Sequence, residues 1–277
     1  MEKEKFVGKV NCLSNPYNDF IYKKGIDGLY KRGYKHFHPS SFGECTRKVA
    51  FEYYSESSEK LRDLMKKSIT AKFMRICDAG HAFHHRMQKS FAEMNIIYGY
   101  WKCTMCGNIM GKEEPLGIKI PKKCSKCNIE PEDPSFLFEY NEIILRSEDE
   151  YNFKGNCDGV VEDENNEKYI VDFKTINNNQ YGFLSRPNYK YTIQVNIYMW
   201  LSGIKKAIIY YENKDSHDQR EFLIPYNEVV INEIKDKSVK LKKLLENKSI
   251  PKREESFVID KKPCSYCCFS EVCYKKS

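Results

Sequence analysis

The order of hydrophobic periodicities along the chain predicts an α/β fold, a sheet flanked by helices: helical stretches come first, then a meander of strands, one helix, more strands and a closing helix. Apolar residues make up 41% of the chain, with 16 Phe and 20 Tyr, enough to fill the core such a fold needs. Twelve cysteines, eight of them in two clusters, predict a small metal-held module and a metal-held tail around that body.

Residues 1–39 are polar and aromatic without clean periodicity and are left unassigned. Ser40 or Ser41 suits the cap of a helix running through Cys45 to about Tyr54, and a second helix covers Glu59 to Lys67. Ile69, Phe73, Ile76, Gly80, Phe83, Met87 and Phe91 recur at spacings of three and four, one face of a long helix. From Trp101 to about Pro134 the pattern turns to Cys, Gly, Lys and Pro, an inserted module. Strand-like runs follow at Phe136–Leu145, Phe153–Glu162 and Lys168–Thr175. Tyr189–Leu201 reads as a helix closed by Gly203. Lys206–Tyr211 and Glu221–Ile224 read as strands, and Asn227 to about Asn247 as an amphipathic helix ended by Pro251.

The chain has 277 residues, long for one compact domain, so one body with an insertion is expected. Its net charge of +7 favours an anionic partner. No apolar run approaches the roughly 18–20 residues of a membrane span. Met1-Glu-Lys-Glu-Lys lacks the apolar stretch of a secretion signal, so no membrane role and a cytoplasmic setting are expected. In that setting clustered cysteines point to metals rather than disulfides.

The strongest catalytic signal is Gly155-Asn-Cys-Asp158 followed by Ile170-Val-Asp172-Phe-Lys174. Residues two apart on a strand face one side, so Asp172 and Lys174 project together and Phe173 points the other way. Asp158 on the neighbouring strand can lie beside Asp172. Two carboxylates and the Phe173 backbone carbonyl form a hard oxygen site suited to Mg²⁺ or Mn²⁺. Such an ion polarises a phosphate and acidifies an attacking water, while Lys174 positions that water or balances the developing charge. An Asp-x-Lys pair on a strand is commonly only a solvated face. Here the apolar flanks mark a buried strand, where a charge is costly. Glu142 is a candidate to extend the acidic set.

His84 lies beside the apolar face marked by Phe83 and Met87 and can add a nitrogen ligand to the same ion; His81 and His85 are rivals. Gln194 and Tyr198, spaced i, i+4, share one helix face and suit holding a nucleic-acid backbone or the lysine. Cys103-x2-Cys106 and Cys124-x2-Cys127 form two knuckles that complete a four-thiolate Zn²⁺ ribbon with no open coordination position. The lysines around it suit DNA contact. Cys264-x2-Cys267-x5-Cys273, with Cys268 as a substitute, supplies three thiolates, and Cys45 is the candidate fourth. Four thiolates bind zinc or a [4Fe–4S] cluster, and their count alone does not choose. Cys12, Cys77 and Cys157 stand alone.

Together these residues resemble the RecB-like branch of the PD-(D/E)XK nucleases, and within it the CRISPR-associated iron–sulfur exonucleases (the fourth Cas family). Ser41-Phe-Gly-Glu-Cys45-Thr-Arg47, Gly80-x3-His84, Gly155-x2-Asp158, Asp172-Phe-Lys174, Gln194-x3-Tyr198 and the terminal cysteine triad are similar to that family's motifs, in its order. The resemblance implies a PD-(D/E)XK core with a mixed central sheet over residues 135–250 and a helical part over 40–100. Around these lie an N-terminal extension at 1–39, the zinc ribbon inserted at 101–134 and an iron–sulfur tail at 251–277. It implies a [4Fe–4S] cluster on Cys45, Cys264, Cys267 and Cys273, and Mg²⁺ or Mn²⁺ on His84, Asp158, Asp172 and the Phe173 carbonyl. Asp158, Asp172, Lys174, Gln194 and Tyr198 become the catalytic set.

The implied activity is metal-dependent exonuclease action on single-stranded DNA or DNA ends in recombination, replication or repair, in a phage, mobile-element or CRISPR setting. Family members join helicase, recombinase or integrase partners. The ribbon departs from the compact CRISPR-associated members, and Thr46 stands where proline often follows the first cysteine. An inactive DNA-binding or assembly protein on the same scaffold is the alternative, and a two-zinc nuclease a third reading.

Overall fold

A computed structural model of the chain describes residues 13–253, 261 and 264–274; Cys12 lies outside them. The helical part consists of α1 (Ser14–Lys31), α2 (Pro39–Phe42), α3 (Thr46–Ser55), α4 (Glu59–Ser68) and α5 (Ala71–Glu93). The strands that follow are β1 (Ile97–Tyr98), β2 (Tyr100–Cys103), β3 (Ile109–Met110), β4 (Phe138–Asn141), β5 (Ile143–Arg146), β6 (Lys154–Cys157), β7 (Gly159–Glu162) and β8 (Lys168–Ile176). Then come α6 (Asn178–Gly182), α7 (Tyr189–Ser202), β9 (Lys206–Asn213), β10 (Gln219–Pro225), α8 (Glu228–Glu246) and, in the tail, α9 (Ser270–Tyr274).

The expected mixed sheet flanked by helices is borne out. Its order is β1-β7-β8-β9-β10, antiparallel except for the parallel β8–β9 pair. The parallel step requires a crossover, which α6 and α7 supply. The sheet is covered on both faces. Phe83 and Met87 of α5 pack with Val171, Phe173 and Tyr210 on one side. Val195, Tyr198 and Met199 of α7 pack with Ile170, Ile209 and Tyr211 on the other. Because Phe173 turns to α5, Asp172 and Lys174 turn towards α7. Gly203, with φ +79°, closes α7 as its sequence predicts.

Four departures from the sequence reading have physical causes. The helix expected through Cys45 is two helices, α2 and α3, with Cys45 in extended backbone before Thr46. Residues 14–31 form a helix that periodicity does not reveal. It rests on α5 through a close approach at Gly25, where a Cβ would lie 2.6 Å from Met74 Sδ, and through a Lys24–Asp78 ion pair at 2.9 Å. Phe73 and Ile76 are half-exposed, because the first half of α5 faces α1 across a cleft and not the core. Finally, two runs read as single strands are each broken at one residue, Glu142 between β4 and β5 and Asp158 between β6 and β7.

Gly155 in β6 marks another close approach. A Cβ there would stand 2.7 Å from Pro39 Cδ and 3.1 Å from a Tyr198 ring carbon, both stiff neighbours. Gly155→Ala should therefore lower stability by about 1–3 kcal/mol, the usual cost of overpacking; a chemical-denaturation midpoint equal to wild type would contradict the packing.

Candidate active site

The two strand breaks position the site. Glu142 comes from a one-residue hinge between the three-stranded sheet and the β5–β6 pair, Asp158 from one between that pair and the central sheet, and His84 reaches them from α5. One ligand atom from each of the three lies within 4.8 Å of the others. His84 Nδ1 is 3.5 Å from Asp158 Oδ1. Asp158 Oδ2 accepts the backbone N–H of Phe173 at 2.8 Å, which ties the hinge to β8. The hinge carbonyl of Asp158 is satisfied by Gln88 Nε2 at 2.9 Å and the Tyr140 hydroxyl at 3.1 Å. Gln88 also reaches Glu142 at 3.4 Å. A buried carbonyl left by a broken ladder needs such donors.

On β8, Asp172 is 1% exposed. Its Oδ1 accepts from Gln194 Nε2 of α7 at 2.9 Å. Its Oδ2 lies 2.6 Å from Lys174 Nζ, yet makes no aligned hydrogen bond. Lys174 Nζ also stands 3.3 Å from the Phe173 carbonyl and 4.8 Å from the centre of the Tyr191 ring. A buried carboxylate oxygen with no aligned donor, beside a backbone carbonyl and a second carboxylate, is a donor set that fits a hard divalent cation.

The electrostatics follow from burial. Burial pushes the Asp172 carboxyl up to about 6 despite the ammonium beside it, and repulsion from Asp158 adds to the rise. Asp158 is also penalised by burial, but the His84 hydrogen bond, Lys174 and the Phe173 N–H outweigh that and hold it below the usual carboxylate range. Burial and the Asp158 charge raise Glu142. His84 is raised, its burial overcome by Asp158. Lys174 is raised for the same reason, held by Asp172 and Asp158. The cluster is short of positive charge, which a divalent cation would supply.

His84, Glu142 and Asp158 form one ligand group, which leaves out Asp172; Asp172 joins Gln194 and Lys174 instead, and the Tyr198 hydroxyl, beside Gln194, feels the charges of Asp158 and Asp172. Gln194 Nε2 holds Asp172. The Tyr198 hydroxyl donates to the Asn156 carbonyl at 2.6 Å and so braces β6 behind the hinge. His81 and His85 lie outside the group that His84 joins. Sequence reasoning missed Gln88 and Tyr140. The signal for Gln88 was its i+4 spacing from His84.

The ribbon cysteines are equally well defined. Cys103 Sγ is 3.8 Å from Cys127 Sγ, and Cys106 Sγ is 3.6 Å from Cys124 Sγ. A tetrahedral ion with Zn–S bonds near 2.3 Å sets sulfurs about 3.8 Å apart. The knuckles are built alike. Gly107 and Asn128 follow the second cysteine of each with φ +71° and +60°, and their N–H groups donate to the carbonyls of Cys103 and Cys124 at 2.8 and 3.0 Å. Backbone N–H groups pull the Cys124 thiol down to about 6. Cys127 faces the Ile129 N–H, but burial and the neighbouring sulfurs push it up to about 11.

Cys45, Cys264, Cys267 and Cys273 line one cavity of about 480 Å³ together with Arg47, Lys48 and Lys190. Their sulfurs do not form a set within 4.8 Å among the described residues, unlike the ribbon. Cys268 lines a different cleft, and burial pushes its thiol up to about 12. The tail is pinned by Phe269, fully buried and 5.3 Å from the Phe51 ring, and by Arg47 Nη1 donating to the Pro251 carbonyl at 2.9 Å.

Residues 40–274 match the profile of the PD-(D/E)XK nuclease superfamily. A helix-flanked mixed sheet whose central strand carries Asp172 and Lys174 is the architecture on which that match falls, and the chain belongs to this superfamily. The CRISPR-associated exonuclease Cas4 of Saccharolobus solfataricus is 25% identical over 126 residues, 46% of this chain and 54% of that protein. The chain thus spans about half the length of the curated relative it matches. The solved structure of SSO0001 shares the fold, with a TM-score of 0.51 at 15% identity over 95% of this chain and 98% of that one. The alkaline exonuclease LHK-Exo from Laribacter hongkongensis has a TM-score of 0.34 at 17% identity, covering 39% of this chain and 57% of that one. No helix among the described residues is long and apolar enough to cross a membrane.

Removing the Tyr198 hydroxyl leaves the Asn156 carbonyl without its donor behind the hinge. Tyr198→Phe should cost about 1–3 kcal/mol of stability, read as a lower denaturation midpoint; an unchanged midpoint would show that the brace carries no weight.

Proposed function

We propose that this chain is a metal-dependent DNA nuclease of the RecB-like iron–sulfur type, an exonuclease acting on single-stranded DNA or DNA ends. The observation that carries the reading is the convergence of His84, Glu142 and Asp158 beside Asp172 and Lys174, in a member of a nuclease superfamily.

His84, Asp158, Asp172 and the Phe173 carbonyl, joined by Glu142, would hold Mg²⁺ or Mn²⁺. Once bound, the ion supplies a Lewis acid for the scissile phosphate and lowers the pKa of the attacking water. The chain's own groups do the rest. Gln194 fixes the rotamer of Asp172 through Oδ1, and Oδ2, paired with Lys174 at 2.6 Å, is the oxygen the ion would share with that ammonium. Lys174 holds its ammonium against the Asp172 carboxylate and the Phe173 carbonyl, where it would orient water and offset charge on the phosphate. The Asp158–Phe173 hydrogen bond keeps the two carboxylates in register during the reaction. The intact acidic set and lysine favour catalysis over an inactive scaffold, because a scaffold with no use for buried ion pairs is often stabilised by replacing them with apolar residues.

The tail supports a [4Fe–4S] cluster on Cys45, Cys264, Cys267 and Cys273. Its sulfurs surround a cavity larger than one ion needs, and Arg47 lines it as well, while Lys48 and Lys190 there are paired with Glu44. The ribbon sulfurs at 3.6–3.8 Å support one structural Zn²⁺. DNA is the expected substrate; a helicase, recombinase or integrase partner, in a phage, mobile-element or CRISPR setting, fits the same reading.

The test is degradation of end-labelled single- and double-stranded DNA with Mg²⁺, Mn²⁺ or EDTA. Wild type should cut with either ion and not with EDTA, and Lys174→Ala should lose at least about a hundredfold in rate, the scale of a lost electrostatic stabiliser; equal cutting by both proteins would remove Lys174 from the reaction. Anaerobically purified protein should be brown, with one zinc per chain by elemental analysis. Cys267→Ala should bleach the colour and keep the zinc, and Cys106→Ala should do the reverse; a colourless protein carrying two zincs would replace the cluster with a second zinc site.

A further inference from the structure

A cleft of about 960 Å³ opens beside Lys174, between the ends of β8 and β9 and the loop that leads into α7. That is within the range of small-ligand pockets, roughly 300–1,000 Å³. Its floor continues the active site. Ile176 lies two residues beyond Lys174 on the same strand face, and Tyr211 is the cross-strand partner of Lys174. Tyr191 lines the cleft and also meets Lys174, so its ring is the wall the two share.

The rim carries Phe183, which is 90% exposed, Tyr189, which is 65% exposed, and Arg186, also exposed. Single exposed aromatics need no explanation, but these are held in place. Leu184 next to Phe183 is buried, and its carbonyl accepts from Arg220 Nη1. Asn188 next to Tyr189 donates its backbone N–H to the Tyr211 hydroxyl at 3.4 Å. The chain has 39 acidic residues, yet none lines this cleft. Aromatic rings on fixed backbone, an arginine between them and no carboxylate match a polyanion with flat bases. Aromatic faces stack bases without regard to sequence, and arginine pairs with phosphate.

We propose that this cleft holds the unpaired bases of the strand beside the scissile phosphate, with Phe183 and Tyr189 as stacking platforms and Arg186 on the adjoining phosphate. The inference deepens the nuclease reading and rests on it. It adds which residues would hold the bases of that strand, and therefore that binding depends on the bases and not on the phosphates alone. Phe183, Tyr189 and Arg186 are binding residues and touch no reacting atom.

The test is fluorescence anisotropy with a labelled oligothymidine and an abasic strand of equal length, using the full-length holoprotein with Lys174→Ala to prevent turnover. Phe183→Ala and Tyr189→Ala should each weaken oligothymidine binding about tenfold, the scale of one lost stack. They should leave the abasic strand unchanged, and Phe183→Trp should restore binding. Equal affinity in all variants, or equal loss on both strands, overturns the proposal. Cleavage by protein carrying native Lys174 is followed in parallel. Base-dependent binding without any cleavage supports the cleft and overturns the nuclease reading; cleavage with no base dependence overturns the cleft and leaves the nuclease reading standing.

Discussion

Everything in the catalytic face depends on one constraint: two carboxylates, Asp158 and Asp172, are buried at neighbouring points of a sheet. A buried charge is tolerated only when partners surround it. Asp158 is met by His84 and the Phe173 N–H; Asp172 is met by Gln194 and Lys174. The four partners come from three elements: His84 from α5, Phe173 and Lys174 from β8, and Gln194 from α7. The ionic cluster therefore links the two helical layers through the sheet, and the fold around it is fixed by what those charges require.

The hinges show how the backbone meets that requirement. A continuous strand aims side chains at fixed alternating faces, and its carbonyls are spent in the ladder. Breaking the ladder for one residue, at Glu142 and again at Asp158, turns two carboxylates towards His84 and leaves the Asp158 carbonyl for Gln88 and Tyr140 to satisfy. The polar network behind the site is thus a consequence of the hinges. The cysteine modules act at longer range. The ribbon packs Cys103, Cys124 and Trp101 into the same core as Phe173, while the tail brings Cys264, Cys267 and Cys273 back to Cys45 at the start of α3.

Much of this was legible in the sequence because local rules carried it. Alternation along Ile170–Lys174 placed Asp172 and Lys174 on one face, the Cys-x2-Cys knuckles announced the ribbon, and Gly203 announced the end of α7. What was not legible depended on contacts distant in sequence. α1 is stabilised where Gly25 lets it approach α5, which no periodicity within residues 14–31 records. The strand breaks occur at Glu142 and Asp158 because tertiary partners compensate them, while the local pattern continues through both. Gln194 pairs with Asp172 because α7 crosses that face of the sheet, a fact of topology. Cys267 and Cys268 have the same local chemistry, and only the fold turns Cys267 to the shared cavity and Cys268 away from it.

The central claim is that the hinge carboxylate of Asp158 and its neighbours form one divalent-metal site. Titration of Mn²⁺ into the holoprotein, followed by the loss of the free-ion electron paramagnetic resonance signal, reads that site without DNA or turnover. Wild type should bind Mn²⁺ in a site that Asp158→Asn weakens at least about tenfold, the lower scale of a lost metal-site partner, while the visible absorbance and the zinc content stay unchanged. Equal Mn²⁺ binding by wild type and Asp158→Asn would contradict the account.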